Sequence, residues 1–385
     1  MHASASHDSV YLDHAATTPM RQCAIDAWVE HAHAVNPGSQ YAAGRAANAV
    51  LQEAREQVAA LLGADPVEVI FTGSGTEADN IAVRGLYAAS VREGAPQRVV
   101  ASTIEHPAVL EPVRALEAEG AEVAWLEAGR DGHVADLAAL DQPAAVAALM
   151  WANNETGAIQ PVAEAAERAA AAGTPLHVDA VQAVGKVPVD FKGLGLTTLA
   201  ASAHKFGGPR GCGILLARRS PVPVPLVLGG GQERGLRSGT VDVAAAAATA
   251  AALAEAVGEM EAEQARVREL RDQLVARVRS AVPGAVLTTS EPALAGHAHF
   301  MFPGANADAM IMLLDGLGIA ASAGSACAAG VVRLSPVLEA MGIPDEEGMG
   351  ALRLTLGRTT TEEDVARAAT EIGDVVEKAR AVGRL

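Results

Sequence analysis

The chain has 385 residues, half of them hydrophobic but only 3% aromatic, and a formal net charge of -17. This length exceeds what one hydrophobic core usually supports, so a large and a smaller domain are expected, with cores built from Ala, Val and Leu. The acidic balance repels phosphate backbones and argues against nucleic acid as a direct partner. Three cysteines, Cys23, Cys212 and Cys327, are too sparse and too odd a set for a disulfide framework and point to free thiols in a reducing compartment. No basic, apolar leader opens the sequence and no run of about 20 apolar residues interrupts it, so a cytoplasmic protein without a membrane partner is expected.

Along the chain, Val10-Tyr11-Leu12 reads as a short strand, and Asp13-His14-Ala15-Ala16-Thr17-Thr18-Pro19 as a loop whose small side chains let another surface approach. Asn36-Pro37-Gly38-Ser39 is a turn. Val50, Leu51, Ala54, Val58, Leu61 and Leu62 recur at helical spacing and predict a helix over 45–62, ended by Gly63. Val69-Ile70-Phe71 predicts a strand, and Thr72-Gly73-Ser74-Gly75-Thr76 leads from it into a helix. Strand, glycine turn and helix start aim free backbone N–H groups at an anion, although a plain tight connection carries the same signature.

The pattern then repeats. Arg98-Val99-Val100-Ala101 runs into Glu105-His106, the apolar run 146–151 into Asn153-Asn154-Glu155, and Leu176-His177-Val178 into Asp179 and Gln182. Thr198-Leu199-Ala200-Ala201 ends at Ser202-Ala203-His204-Lys205-Phe206-Gly207-Gly208-Pro209. Apolar strands alternating with Ala-rich helices, such as 162–172, predict a parallel sheet covered on both faces, whose ligands bind beyond the carboxyl ends of the strands. Thr76, His106, Asn154, Asp179, Gln182, His204 and Lys205 should therefore converge on one crevice.

Segment 211–217 reads as a returning strand, and Gly229 to Thr240, with Arg234 and Arg237, as a polar segment that could reach a phosphate. An Ala-rich helix is predicted over 243–257 and a second, charged helix over 261–282, whose Val267, Leu270, Leu274 and Val278 share a face. After Pro283-Gly284 comes a compact α/β unit: strands at 286–288, 299–302 and 318–321, a helix over 307–314, the strand Leu352-Arg353-Leu354 and a closing helix over 362–381. Within it, Ser322 to Gly330 is a run of small residues with Cys327 at its centre. The expected division is a large domain over 16–258 and a small one formed by 1–15 and 259–385.

A lysine between a strand end and a glycine turn can lose water, lower its pKa and attack a carbonyl, whereas the plain alternative is a surface loop lysine. With an anion-binding turn and an aspartate at a neighbouring strand end, it has the parts that pyridoxal 5'-phosphate requires. Asp179 is the candidate partner of the ring nitrogen, its alternative being a helix N-cap. His106 is placed to stack on the ring and move protons, and Arg353, flanked by leucines, to fork a carboxylate. Cys23 in a helical segment and Cys212 in a strand read as small hydrophobes, while Cys327 in a glycine/serine loop suits a nucleophile. The pairs His31/His33 and His297/His299 lack nearby acidic or thiol ligands, so no metal is expected.

These motifs, together with Tyr11 to Pro19, Gly75-Thr76-Glu77, Asn153-Asn154-Glu155-Thr156-Gly157, His177-Val178-Asp179, Arg237-Ser238-Gly239-Thr240 and Gly324-Ser325-Ala326-Cys327, cover nearly the whole chain. In them the sequence resembles the pyridoxal phosphate-dependent cysteine desulfurases of the class V aminotransferase superfamily, in the subgroup with the longer cysteine loop. The resemblance implies transferase fold type I, with a mostly parallel seven-stranded sheet in the large domain and a smaller α/β domain carrying the cysteine loop. It implies that Lys205 holds the cofactor and carries the α-proton, that Gly75, Thr76, Ser202 and His204 hold the phosphate, and that Thr240 adds a phosphate contact across a homodimer. It further implies that Asp179 and Gln182 bind the ring nitrogen and phenolic oxygen, that His106 stacks on the ring, and that Asn154 and Arg353 grip the substrate carboxylate. Cys327 would take sulfur from L-cysteine as a persulfide, leave alanine, and pass the sulfur to an acceptor in iron–sulfur cluster assembly, RNA thiolation or a related pathway.

Two other readings fit the same residues: a class V selenocysteine lyase, aminotransferase or epimerase in which Cys327 is incidental, and a non-catalytic sulfur-trafficking scaffold. The chain departs from the family pattern at Tyr41, where histidine is frequent, and at Arg333-Leu334-Ser335, where Glu-Pro-Ser is usual.

Overall fold

A computed structural model describes residues 9–323 and 334–382. In chain order the first half contains β1 (Val10–Tyr11), α1 (Gln22–His31), α2 (Ala42–Leu62), β2 (Val69–Thr72), α3 (Gly75–Arg92), β3 (Arg98–Ser102), α4 (Pro107–Ala118) and β4 (Glu122–Leu126). Then follow β5 (Val146–Ala148), α5 (Val162–Ala171), β6 (Leu176–Asp179), β7 (Thr198–Ser202), β8 (Gly213–Ala217) and α6 (Val243–Ala281). The C-terminal part adds β9 (Val286–Leu287), β10 (His297–Met301), α7 (Ala307–Gly316), β11 (Ile319–Ala320), α8 (Pro336–Ala340), α9 (Asp345–Gly348), β12 (Ala351–Thr355) and α10 (Glu362–Val382).

The central sheet has seven strands in the order β2-β8-β7-β6-β5-β3-β4. Only β8 runs against its neighbours β2 and β7, so the sheet is mostly parallel. Strands β2, β3, β7 and β8 are buried on both faces, as a sheet covered by helices on each side requires. A three-stranded antiparallel sheet, β12-β10-β9, and the parallel pair β1-β11 belong to the second layer system. The α/β class and the parallel sheet agree with the sequence reading.

Two hydrophobic clusters dominate. One joins α2, the central sheet, α5 and the first half of α6; the other joins Val10 and Leu12 to β10, α7, β12, α10 and the second half of α6. The two helices expected over 243–257 and 261–282 are one continuous helix of 39 residues. Gly258 does not break it, because a glycine in a helix interior costs only about 1 kcal/mol relative to alanine. The turns beside it are tied by Arg21, whose buried guanidinium meets Glu255 and Glu259, each at 2.7 Å, and Glu263 at 3.6 Å. By length and composition α6 is apolar enough to cross a membrane, yet Ala245, Ala248, Ala252 and Leu253 lie in the core.

Strand β5 is shorter than the apolar run 146–151. Beyond Ala148 the backbone stays paired, Leu149 N to His177 O at 3.1 Å and Trp151 N to Asp179 O at 2.8 Å. The intervening Met150 N is taken instead by the Glu105 carboxylate at 2.6 Å.

Candidate functional site

Strand β7 delivers the lysine. It ends at Ser202, and one tight 3-10 turn, Ala203–Lys205, follows. Gly207 holds φ at 89°, and a Cβ there would meet the Arg21 side chain at 2.7 Å, so both the conformation and the space demand glycine. Lys205 Nζ donates to the carbonyls of Ala15 at 2.5 Å and Ala16 at 3.0 Å. The small-residue loop is thus the lysine's cradle; Thr18 N bonds His204 O at 3.1 Å, and Thr17 Oγ1 meets His204 Nδ1 at 3.1 Å. Burial, and after it the Arg353 charge, lowers the Lys205 pKa to about 8. Burial also lowers His204 to about 4, so its ring is neutral and its nitrogens serve as hydrogen-bonding groups.

The turn between β2 and α3 supplies backbone donors. Ser74 caps α3, its Oγ accepting from Glu77 N at 3.0 Å. A Cβ on Gly75 would meet Val181 Cγ2 at 2.7 Å and Ser202 Cβ at 3.3 Å. Glycine therefore lets the helix start press against the end of β7. Arg237 and Arg234 are both engaged within the chain. Arg237 Nε pairs with Glu77 Oε1 at 2.9 Å, and Arg234 Nη1 donates to Val67 O at 3.1 Å and Ala217 O at 2.9 Å.

Asp179 stands buried at the end of β6 and accepts from Val181 N at 2.9 Å in a local turn; no helix follows for it to cap. Burial raises its pKa, and His106, its own backbone bond and Lys205 oppose the rise. His106 precedes α4 and accepts from Ala108 N at Nδ1, 3.1 Å, which leaves Nε2 carrying the proton. Burial lowers its pKa as well. Gln182 Nε2 donates to Ala15 O at 2.9 Å, the same carbonyl that Lys205 holds.

Two buried carboxyl groups near Asp179 were given no role in the sequence reading. Asp79 on α3 contacts His177 Nε2 at 3.1 Å, and Glu105 accepts from Ser102 Oγ at 2.7 Å. Burial raises Asp79 well above its ordinary value and Glu105 to about 8, with Asp179 adding to both shifts. A signal existed: an aspartate at helical spacing with Ala82, Val83 and Leu86, and a histidine inside an apolar strand.

On the opposite wall, Arg353 of β12 is buried, with Nη1 on Asn154 O at 2.8 Å and Nη2 on Asp13 Oδ1 at 2.7 Å. Its Nε has no partner among the described residues. Asn153 Oδ1 shapes the adjoining turn by accepting from Glu155 N at 2.9 Å and Thr156 N at 3.0 Å. Cross-strand from Arg353 is His299, which with His297 is buried in β10. Cys327 lies outside the described residues, as does Arg333, but both flanks of that segment are anchored here. Ser322 pairs with Arg353 through their backbones, and Ser335 Oγ donates to Glu155 Oε2 at 2.5 Å. Cys23 and Cys212 have pKa values pushed up to about 11 by burial, which suits inert thiols; Cys212 sits one residue before β8 rather than within it.

One cavity of about 380 Å³ collects these groups: Gly75, Thr76, His106, Asn154, Asp179, Gln182, Ser202, His204, Lys205 and Arg353 all line it. That volume lies in the range of small-molecule and cofactor pockets. Thr240 does not line it; it is exposed and borders a separate cavity with Gln232 and Glu233.

The fold and this site define a class, and the chain belongs to the aminotransferase class-V family, whose profile matches residues 10–368. It is 47% identical over 381 residues to an IscS-like cysteine desulfurase of Mycobacterium tuberculosis, covering 96% of this chain and 97% of the relative. It is 38% identical over 384 residues to the cysteine desulfurase NifS of Azotobacter vinelandii, covering 97% and 94% respectively. A solved structure described as a NifS-like protein superposes with a TM-score of 0.88 at 33% identity, over 96% of this chain and 100% of that one.

Class V enzymes are pyridoxal phosphate-dependent, and the donor set fits that group. Gly75 lets the start of α3, with its free backbone N–H groups, close on the end of β7 beside Ser202, and Asp179 is a buried carboxylate whose raised pKa a cationic ring nitrogen would offset.

Proposed function

We propose that the protein is a pyridoxal phosphate-dependent L-cysteine desulfurase that moves sulfur onto Cys327 as a persulfide and leaves L-alanine. The observation that carries this reading is the convergence of Lys205, its pKa lowered to about 8, with Asp179 and the start of α3 on one cavity. The relatives named as cysteine desulfurases over nearly the full chain support the same reaction.

When bound, the cofactor supplies an electron-withdrawing ring that takes up the electron pair left at the substrate α-carbon. Gly75, Thr76, Ser202 and His204 would hold its phosphate, Asp179 the ring nitrogen with its proton, and Gln182 the ring oxygen. His106, with the proton on Nε2, would cover the ring face and has that N–H to donate into the cavity. Asn154 and Arg353 would fix the substrate carboxylate. Lys205, uncharged in good part near its pKa of about 8, removes the α-proton and returns a proton to carbon. The Cys327 thiolate attacks the substrate sulfur: the S–S bond forms, the C–S bond breaks, and protonated carbon departs as alanine. Ser322 is five residues from Cys327, an extended reach of roughly 17 Å, and Ser322 itself lines the cavity.

The cofactor-binding unit of this reading spans 16–258, and 1–15 with 259–385 forms the smaller unit that carries the cysteine segment. The enzyme works as a homodimer in which Thr240 serves the partner's phosphate, and it delivers sulfur to an acceptor protein of iron–sulfur assembly or thiolation. Free thiols and persulfide chemistry suit the reducing cytoplasm.

Incubation of the purified protein with L-cysteine and a thiol reductant is expected to give alanine and sulfide in equal amounts. Cys327→Ser should lower both by on the order of a thousandfold while the cofactor's visible spectrum still responds to cysteine. Unchanged turnover in that variant would favour an aminotransferase, lyase or epimerase in which the thiol is incidental.

A further inference from the structure

Lys186 lies in the turn after β6, behind Lys205 as seen from the cofactor cavity, where both lysines line a second cavity of about 40 Å³. A second amine so close to a first is costly. Burial, and after it the Lys205 and Arg353 charges, lower the Lys186 pKa to about 7 against the opposing pull of Glu263. His14 and His297 also face this cavity, and Lys186 helps hold both of them neutral.

What Lys186 does there is visible in its hydrogen bond: Nζ donates to Gln182 Oε1 at 3.2 Å. An amide oxygen can only accept, so this bond commits Oε1 to Lys186 and turns the amide nitrogen away from it. That nitrogen donates to Ala15 O at 2.9 Å, and Lys205 Nζ donates to the same oxygen at 2.5 Å. Gln182 Nε2 therefore shares an acceptor with the reactive amine and has a second N–H left to give.

We propose that Lys186 is a positioning residue: by occupying Oε1 of Gln182 it makes that amide a donor, and never an acceptor, toward the cofactor cavity. The inference rests on the reading that Lys205 holds pyridoxal phosphate, whose ring carries an oxygen beside the aldehyde carbon. A donor fixed there favours an anionic ring oxygen and so eases proton loss from the nitrogen that joins lysine to cofactor. Without Lys186 the amide can turn over and oppose the same oxygen with its own.

The test is a pH titration of the visible absorbance of the holoenzyme without substrate. Lys186→Met is expected to raise the midpoint by about one pH unit, and Lys186→Arg, which keeps the donors, to leave it within about 0.3 unit. In a Gln182→Leu background the Lys186→Met shift should shrink below about 0.3 unit, since residues acting as one unit are not additive. Equal shifts in both backgrounds would mean that Lys186 acts through space as a bare charge and would overturn the proposal, as would no shift in either. Should Lys186→Met fail to fold, Lys186→Leu, which likewise has no donor, carries the same expectations. Borohydride reduction and peptide mapping separate the two levels. An adduct on Lys205 leaves the cofactor reading standing whatever Lys186 does; an adduct elsewhere, or none, removes both.

Discussion

The Lys205 amine is held by two carbonyl oxygens, which restrain it without neutralising it. Its lowered pKa has two leading causes, burial and the Arg353 charge, against which Asp179 and Asp13 pull upward. Since only the uncharged amine attacks an aldehyde, capture of pyridoxal phosphate by the apoprotein should speed up about tenfold per pH unit below the pKa. It should level off above pH about 8, where Lys205 loses its proton. Arg353→Met removes the second cause and should carry the inflection to higher pH; stopped-flow absorbance reads both, and an inflection near the ordinary lysine value in the wild-type protein would show the amine to be solvated. Lys205, Asp179 and His106 were legible in the sequence because each closes an apolar run, and parallel strands place their ends together. The Asp79–His177 contact was not, for it joins residues 98 apart through a helix packed on a strand.

At the level of elements, the site depends on a close approach between the start of α3 and the end of β7. Glycines make it possible on both sides: Gly75 against Val181 and Ser202, and Gly213 of β8, where a Cβ would fall 2.3 Å from the Ser74 backbone. Gly75→Ala should push the first turn of α3 off the sheet at a cost of roughly 1–3 kcal/mol. Because the displaced N–H groups are those assigned to the phosphate, cofactor affinity should fall about tenfold or more, an amount matching that free energy. A titration of apoprotein by absorbance, beside a thermal melt, checks this, and a lost melting temperature with intact affinity would place the phosphate elsewhere. Sequence patterning found these strands and turns, since hydrophobic periodicity and glycine placement are local. It divided α6 in two because glycine and a run of charge at 258–263 resemble a break; the helix continues through tertiary contacts from Arg21 that no local pattern contains.

For the whole molecule, α6 is the common wall of both hydrophobic clusters, and the cavity gathers side chains from the central sheet together with Arg353 of the second. Thr240 is the one residue assigned to cofactor binding that faces away, exposed beside Gln232 and Glu233. In the proposed reading its hydroxyl serves the phosphate of another copy of the chain, and in a two-fold dimer that arrangement is reciprocal. Complementation tests it. Lys205→Ala dimers have no cofactor amine, and Thr240→Glu dimers place a carboxylate against each phosphate, so each alone should be nearly inactive. In a mixed dimer one site combines the intact Lys205 of one chain with the intact Thr240 of the other, while the second site collects both substitutions. Co-expression in equal amounts makes half the dimers mixed with one working site each, so activity should recover to about a quarter of wild type. Sedimentation must show both variants to be dimers for the comparison to hold. Activity no greater than the mean of the separate variants would mean that each cavity is complete within its own chain.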